Sequence, residues 1–181
     1  MKPIGKMGRA GLAAFIQEHL RGRGIDVVLC GGACVSIYSK GKYVSMDLDM
    51  VHTTLMAPKR SLVREVMLSM GFSENGRYFK HPGTDFFVEF PKGPPSVGEE
   101  PVKEIHDWHE ATGILKIISP TDCVKDRLTW FYYDNDHQCL EQAILVAREN
   151  VIDFGEIERW SANEGKSNLF QQIRERLLTK A

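Results

Sequence analysis

Hydrophobic and polar positions recur along the chain with two different periods, and the switches between them lay out a mixed helix and strand protein. Over residues 9–21, "RAGLAAFIQEHLR", Leu12, Phe15, Ile16 and Leu20 fall at helical spacing, and the Arg-Gly-Arg-Gly run at 21–24 ends the segment. The β-branched run "IDVVLC" at 25–30 predicts a buried strand closed by a tight turn at Gly31-Gly32, and "ACVSIYSKG" predicts a short helix stopped by Gly41. In "YVSMDLDMV", residues 43–51, the alternation is strict. Val44, Met46, Leu48 and Met50 point one way, while Ser45, Asp47 and Asp49 share the other face.

Pro58 opens a helix with Leu62, Val63, Val66, Met67 and Met70 in phase, and Gly71 caps it. "GRYFKHPGTDFFVEF" reads as a hairpin: Tyr78 and Phe79 on one arm, His81-Pro82-Gly83 at the turn, Asp85 to Phe90 on the other arm. The Pro/Gly-rich stretch 91–101 reads as a loop, and "HDWHEATGILKIIS" as a second hairpin about Thr112-Gly113. From Pro120 the pattern is helical, with helices expected near 121–133, 135–149, 153–163 and 167–179. The aromatic run "WFYY" at 130–133 and Met46, Met50, Met56, Met67 and Met70 are assigned to core packing.

Composition narrows the class. The 181 residues are 43% hydrophobic and 26% charged, with 23 Lys plus Arg against 24 Asp plus Glu and a formal net charge of -1, which excludes a disordered chain and any global pull onto nucleic acid. A local basic groove built from Lys40, Lys42, Lys80 and Lys92 stays open. No apolar run approaches the roughly 20 residues of a membrane span, and the N-terminal stretch reads as an amphipathic helix and not a signal peptide, so a soluble, cytoplasmic protein is expected. Cys30, Cys34, Cys123 and Cys139 have no paired spacing and are expected to be reduced, mostly buried thiols. His106 and His109 stand three apart on an expected strand, hence on opposite faces, and are not expected to share a metal.

The chemistry concentrates at residues 30–51. Two carboxylates on one strand face, next to a glycine turn and the start of a helix, place hard oxygen ligands beside backbone N–H groups, a combination suited to Mg²⁺ and phosphate. Like charges so close are most simply kept ionised by a bound cation.

Strand, Gly31-Gly32, short helix and then Ser45-x-Asp47-x-Asp49 resemble the signature of the DNA polymerase beta-like nucleotidyltransferase superfamily, whose stand-alone bacterial members include the minimal nucleotidyltransferases and the abortive-infection toxin type. The resemblance implies an α+β fold: a nucleotidyltransferase-like mixed sheet of about four to six strands with flanking helices over residues 1–118, and a C-terminal helical segment over 119–181. It implies that Asp47 and Asp49 hold Mg²⁺ or Mn²⁺ and that a third acid on a neighbouring strand completes the site and activates the attacking hydroxyl. Glu89 is the first choice for that acid and Asp85 the second. By the same resemblance Gly31, Gly32, Ser36 and Ser45 bind nucleotide, and Lys125, on a proline-led helix capped by Thr121 or Asp122, reaches the triphosphate. The chain departs from the family pattern in having Ala33 after Gly32 where serine is common, Tyr43 where toxin-type relatives have arginine, and glutamate as third acid. The implied reaction moves a nucleoside monophosphate from a nucleoside triphosphate to a hydroxyl of an RNA, protein or small molecule, with a tRNA or a protein as a candidate partner. The alternative is a weakly active or inactive relative that binds a nucleotide or a partner, including one half of a toxin-antitoxin pair.

Overall fold

The structure is a computed structural model describing residues 3–56 and 58–179. Its strands are β1 (Val27–Cys30), β2 (Asp47–His52), β3 (Ser73–Asn75), β4 (Tyr78–Lys80), β5 (Phe87–Glu89), β6 (Ser96–Val97), β7 (Glu100–Pro101), β8 (Ile105–Glu110) and β9 (Gly113–Ile118). Its α-helices are α1 (Arg9–Arg21), α2 (Gly31–Tyr38), α3 (Arg60–Ser69), α4 (Pro120–Asp134), α5 (His137–Glu149), α6 (Phe154–Asn163) and α7 (Ser167–Leu178). Seven strands form one mixed sheet in the order β3-β4-β5-β2-β1-β9-β8, while β6 and β7 make a small ribbon inside the Pro/Gly-rich stretch. The α+β architecture expected from the sequence is present, with more strands in the sheet than the four to six anticipated, because the polar triplet Ser73–Asn75 pairs with β4 without any hydrophobic period of its own.

Leu29, Leu48, Met50, Val88 and Ile117 line the buried face of the central strands and pack into one cluster with Leu12 and Ile16 of α1. Gln17 is the polar exception. Its side-chain amide donates to the Lys116 carbonyl at 2.9 Å and accepts from the Lys116 N–H at 2.7 Å, so it continues the ladder where β1 and β9 pair only at Leu29 and Ile117. No helix among the described residues is long and apolar enough to cross a membrane.

Three local expectations are corrected. The strand expected over 43–51 begins at Asp47, and Val44 and Met46 are 63% and 37% exposed. The neighbouring β1 turns into α2 at Gly31, so residues 43–46 have no β1 partner; they are held instead by the Ser36 hydroxyl, which accepts from Ser45 N–H at 2.9 Å, and by Arg9, which donates to the Ser45 carbonyl. The cap of α4 is Ser119, whose hydroxyl accepts from Asp122 N–H at 3.1 Å with Pro120 in the first turn, and neither Thr121 nor Asp122. The "WFYY" run divides by helix face: Phe131 and Tyr132 are buried, whereas Trp130 and Tyr133 are about half exposed. Met56 is likewise on the surface.

The largest correction concerns Lys125. Its ammonium is fully buried, 2.9 Å from Asp122 Oδ1 and 3.1 Å from Glu156 Oε1, and lies over the Trp160 ring. It ties α4 to α6 and has no access to a phosphate. Arg159, Lys103 and Lys125 all reach Glu156 and hold its carboxyl well below the usual carboxylate range. Removing one member of a buried ion cluster strands the charges that remain. Lys125→Met is expected to lower the unfolding free energy by about 3–5 kcal/mol, read by urea denaturation at neutral pH; unchanged stability would mean that the cluster is solvated.

Candidate active site

The register of three strands builds the site. β1 runs antiparallel to β2 with Cys30 opposite Asp49, and β2 runs parallel to β5 with Asp47 opposite Phe87 and Asp49 opposite Glu89. Residues opposite one another share a sheet face, so Asp47, Asp49 and Glu89 are neighbours on the face away from Leu48 and Val88. Asp85 is exposed and precedes β5, outside that register, which leaves Glu89 as the acid adjoining the pair.

Gly31 and Gly32 form the first turn of α2 itself and not a separate turn before it. Gly31 has φ +69, and a side chain there would run into the Asp49 carboxylate. A Cβ at Gly32 would come within 3.1 Å of Ser45 Oγ. The start of α2 is therefore bare backbone set directly against Asp49 and Ser45. Ser45 Oγ accepts from Asp47 N–H at 3.2 Å and stays partly exposed. Ser36 is different: it is buried, donates to the Gly32 carbonyl at 3.2 Å and accepts from Ser45 N–H, so it clamps α2 to residue 45 and does not face a ligand.

A cleft of about 340 Å³ opens in front of Gly31 and Asp49. One wall is α4, through Asp126, Arg127 and Trp130; the other is the proline-rich loop with Lys92. Arg127 donates to Asp126 at 3.0 and 2.5 Å. Burial alone would lower the Arg127 pKa, but Asp126 more than offsets it and the charge is held firmly. The sequence reading missed Arg127, Asp126 and Trp130, although a signal was present. Lys125, Leu128 and Tyr132 recur at i, i+3 and i+7 and share the buried stripe, which sets residues 126, 127 and 130 on the other side of the helix, where they line the cleft. A second cleft, about 300 Å³ at the other end of β1, has its cations committed, Arg21 to Glu18 and Lys116 to Asp107.

The acids are under electrostatic tension. Burial, then Asp47 and Glu89 beside it, push the Asp49 carboxyl up to about 6, and burial also raises Asp47. Asp47 Oδ1 is buried without a hydrogen-bond partner among the described residues. A carboxylate oxygen taken from water with no donor is costly, and a divalent cation satisfies it: Asp47 and Asp49 fit such an ion by charge, by hardness and by this orphaned oxygen. Among the described residues no three acidic, His or Cys side chains are gathered as a ready cage. Glu89 instead leans toward Arg77, 3.5 Å away.

No protein-family model matches the sequence, and no curated protein matches it significantly. Solved structures do match over nearly the whole chain. An antigenic nucleotidyltransferase-like protein from Paracoccidioides brasiliensis shares 15% identity with a TM-score of 0.62, over 95% of this chain and 93% of that one. The antibiotic-resistance factor ANT(2'')-Ia, in its solution structure, shares 12% identity with a TM-score of 0.52, over 89% and 93%. The chain thus has the fold of the nucleotidyltransferase superfamily.

Asp49 gives the site a defined pH signature. Its folded pKa of about 6 lies above the ordinary 3.8, so between those values the folded protein keeps a proton that the unfolded chain has lost, and stability falls as pH rises through the window. Without divalent metal, Asp49→Asn is expected to gain about 1–3 kcal/mol over wild type at pH 7 and nothing at about pH 4. Urea unfolding of both proteins at the two pH values checks this, and a pH-independent difference would contradict the burial of the charge.

Proposed function

We propose that this protein is a metal-dependent nucleotidyltransferase that moves a nucleoside monophosphate from a nucleoside triphosphate to a hydroxyl acceptor. The observation that carries the reading is the Asp47–Asp49 pair, with a buried and unpartnered Asp47 oxygen, one strand from Glu89 and against the glycine start of α2. Asp47 and Asp49 would hold Mg²⁺ or Mn²⁺, with Glu89 joining them on leaving Arg77. A bound divalent ion supplies positive charge to the attacking and leaving oxygens of an in-line displacement.

The chain's own groups account for the rest. The N–H groups at Gly31 and Gly32 and the Ser45 hydroxyl border the space where phosphates approach, at the positive end of α2. Lys92, exposed on the loop across the cleft, takes over the charge-neutralising role that burial denies to Lys125. Trp130 offers an indole face on the α4 wall. Glu89 accepts the proton of the acceptor hydroxyl as its oxygen bonds to the α-phosphorus and the bond to pyrophosphate breaks.

Calorimetric titration of each nucleoside triphosphate, with and without Mg²⁺, tests the reading. Wild type is expected to show Mg²⁺-dependent binding that the Asp47→Ala, Asp49→Ala double variant lacks. No binding of any triphosphate by folded wild type would sink it. Once an acceptor is in hand, Glu89→Gln is expected to slow transfer by about 10²–10⁴-fold while Asp85→Asn leaves it unchanged; the reverse result would make Asp85 the base.

A further inference from the structure

The seven-stranded sheet ends in two unlike edges. β3 is three polar residues long, and its Glu74 is held by Arg60 and Arg64. β8 runs six residues in unbroken register with β9, without a proline or a bulge to blunt it. Three observations fix which backbone groups β8 leaves open. The two-residue turn at 111–112 closes on Glu110 and Gly113, a pair that exchanges hydrogen bonds. Ser119 N–H donates to the Glu104 carbonyl at 2.9 Å. The N–H groups of Ile114 and Lys116 turn away from β8, to Glu18 and Gln17. His106, Trp108 and Glu110 therefore direct N–H and C=O to β9, and Ile105, Asp107 and His109 direct theirs to the open edge.

The side chains of this edge carry a sign pattern. Outward from Trp108, Asp107 on one side is matched by His109 on the other, and His106 by Glu110. Trp108 itself is 37% exposed, and Asp107 and His109 are exposed with it. Charge along an edge strand ordinarily opposes pairing. A pattern that reverses sign about its own centre is complementary to itself when the strand is turned end for end.

We infer that β8 pairs antiparallel with β8 of a second copy of this chain, about a two-fold axis at Trp108. A two-fold axis makes every contact occur twice, and the outward backbone groups allow only registers that set odd positions against odd. With Trp108 on the axis, Asp107 exchanges backbone hydrogen bonds with His109 of the second copy and receives its imidazole N–H, while His106 faces Glu110 of the second copy. The two Trp108 residues meet at a non-hydrogen-bonded position, with α-carbons about 4.5 Å apart, where aromatic pairs stabilise a ladder. Moving the axis to Asp107 sets two carboxylates face to face, and moving it to His109 runs Asp107 into the turn. Within one chain Asp107 reaches Lys116 at 2.5 Å, His106 lies 3.3 Å from Glu104, and Glu110 accepts from Trp108 Nε1 at 3.0 Å. A carboxylate keeps acceptor sites for a further N–H beside such a partner. No residue of β8 lines the cleft at Asp49, so the pairing is independent of the transferase reading.

Two six-residue strands make a small interface, so the dimer is weak and depends on concentration. Sedimentation velocity of the whole chain, from low micromolar to near-millimolar concentration, reads it. Wild type is expected to pass from monomer to dimer. His109→Pro removes an outward N–H and no bond of the β9 ladder, and is expected to abolish the dimer. His109→Asp sets carboxylate against carboxylate twice across the axis and is expected to weaken association about tenfold. The double variant Asp107→His, His109→Asp exchanges the two residues, restores unlike partners and is expected to recover wild-type association. Both charge variants alter exposed side chains only, and circular dichroism melts check that every variant is folded. A wild type that stays monomeric at every concentration overturns the inference. So does a dimer indifferent to His109→Pro and His109→Asp, or a His109→Asp defect that the exchange leaves unrepaired.

Discussion

The structure turns on the contact between Gly31 and Asp49. β1 ends opposite Asp49 at Cys30, and the next residue must begin α2 with φ +69 while its α-carbon sits against the carboxylate. Only glycine meets both conditions without strain. Everything local to the site follows from that close approach. α2 leaves the sheet at once, so residues 43–46 have no β1 neighbour and depend on Ser36 and Arg9 for their backbone partners. Asp49 loses water on the side of the helix, which is the main reason its carboxyl is pushed up. The same proximity sets the N–H groups of α2 beside the acids, and phosphate and metal chemistry need that juxtaposition.

A second constraint, remote from the acids, sets what faces them. Lys125 is locked between Asp122 and Glu156, and Asp122 also accepts from the N–H groups of Lys103 and Glu104 at 2.9 Å each. The cluster fixes the rotation of α4 about its own axis. With Lys125 inward, the helical period turns Asp126, Arg127 and Trp130 toward the cleft. A buried ion cluster contributes little net stability compared with an apolar replacement, but here it selects one rotational setting of the helix that walls the site.

Much of this was legible in the sequence. Elements with strong periodicity were found within a few residues of their ends, as with α1 and the β8–β9 hairpin, because periodicity reports burial directly. The Asp47 and Asp49 face was legible for the same reason. What escaped depended on partners far along the chain. Val44 and Met46 continue the alternation of β2, yet β1 is no longer beside them, and pattern alone cannot tell where a neighbour ends. β3 carries no hydrophobic signal and exists because β4 offers it an edge. Lys125 was placed at the phosphates by resemblance to a motif, and the counter-argument, its phase with Leu128 and Tyr132, lay in the same helix. A lysine in a buried stripe needs carboxylate partners, and one of them, Glu156, lies 31 residues downstream.

The near-zero net charge conceals a polar arrangement. The acids occupy the centre of the sheet face, Arg127 stands on the α4 wall and Lys92 on the loop across the cleft from it, and Arg77 and Lys80 stand on the β4 side. Arg127 is committed to Asp126, so it shapes the wall more than it adds free charge. Arg77 is the opposite case: its side chain is 68% exposed, and its pairing with Glu89 at 3.5 Å is loose. An exposed, solvent-screened pair of this kind contributes little. A divalent cation held by Asp47 and Asp49, as proposed, would attract the third carboxylate with twice the charge and from a drier position, where Coulomb attraction is less screened. Under the proposed metal-dependent reading Glu89 would exchange arginine for the ion, and the released guanidinium would stay beside the acids. Total charge is blind to this geometry, because the field that an incoming phosphate meets is set by the few groups within a Debye length of its path.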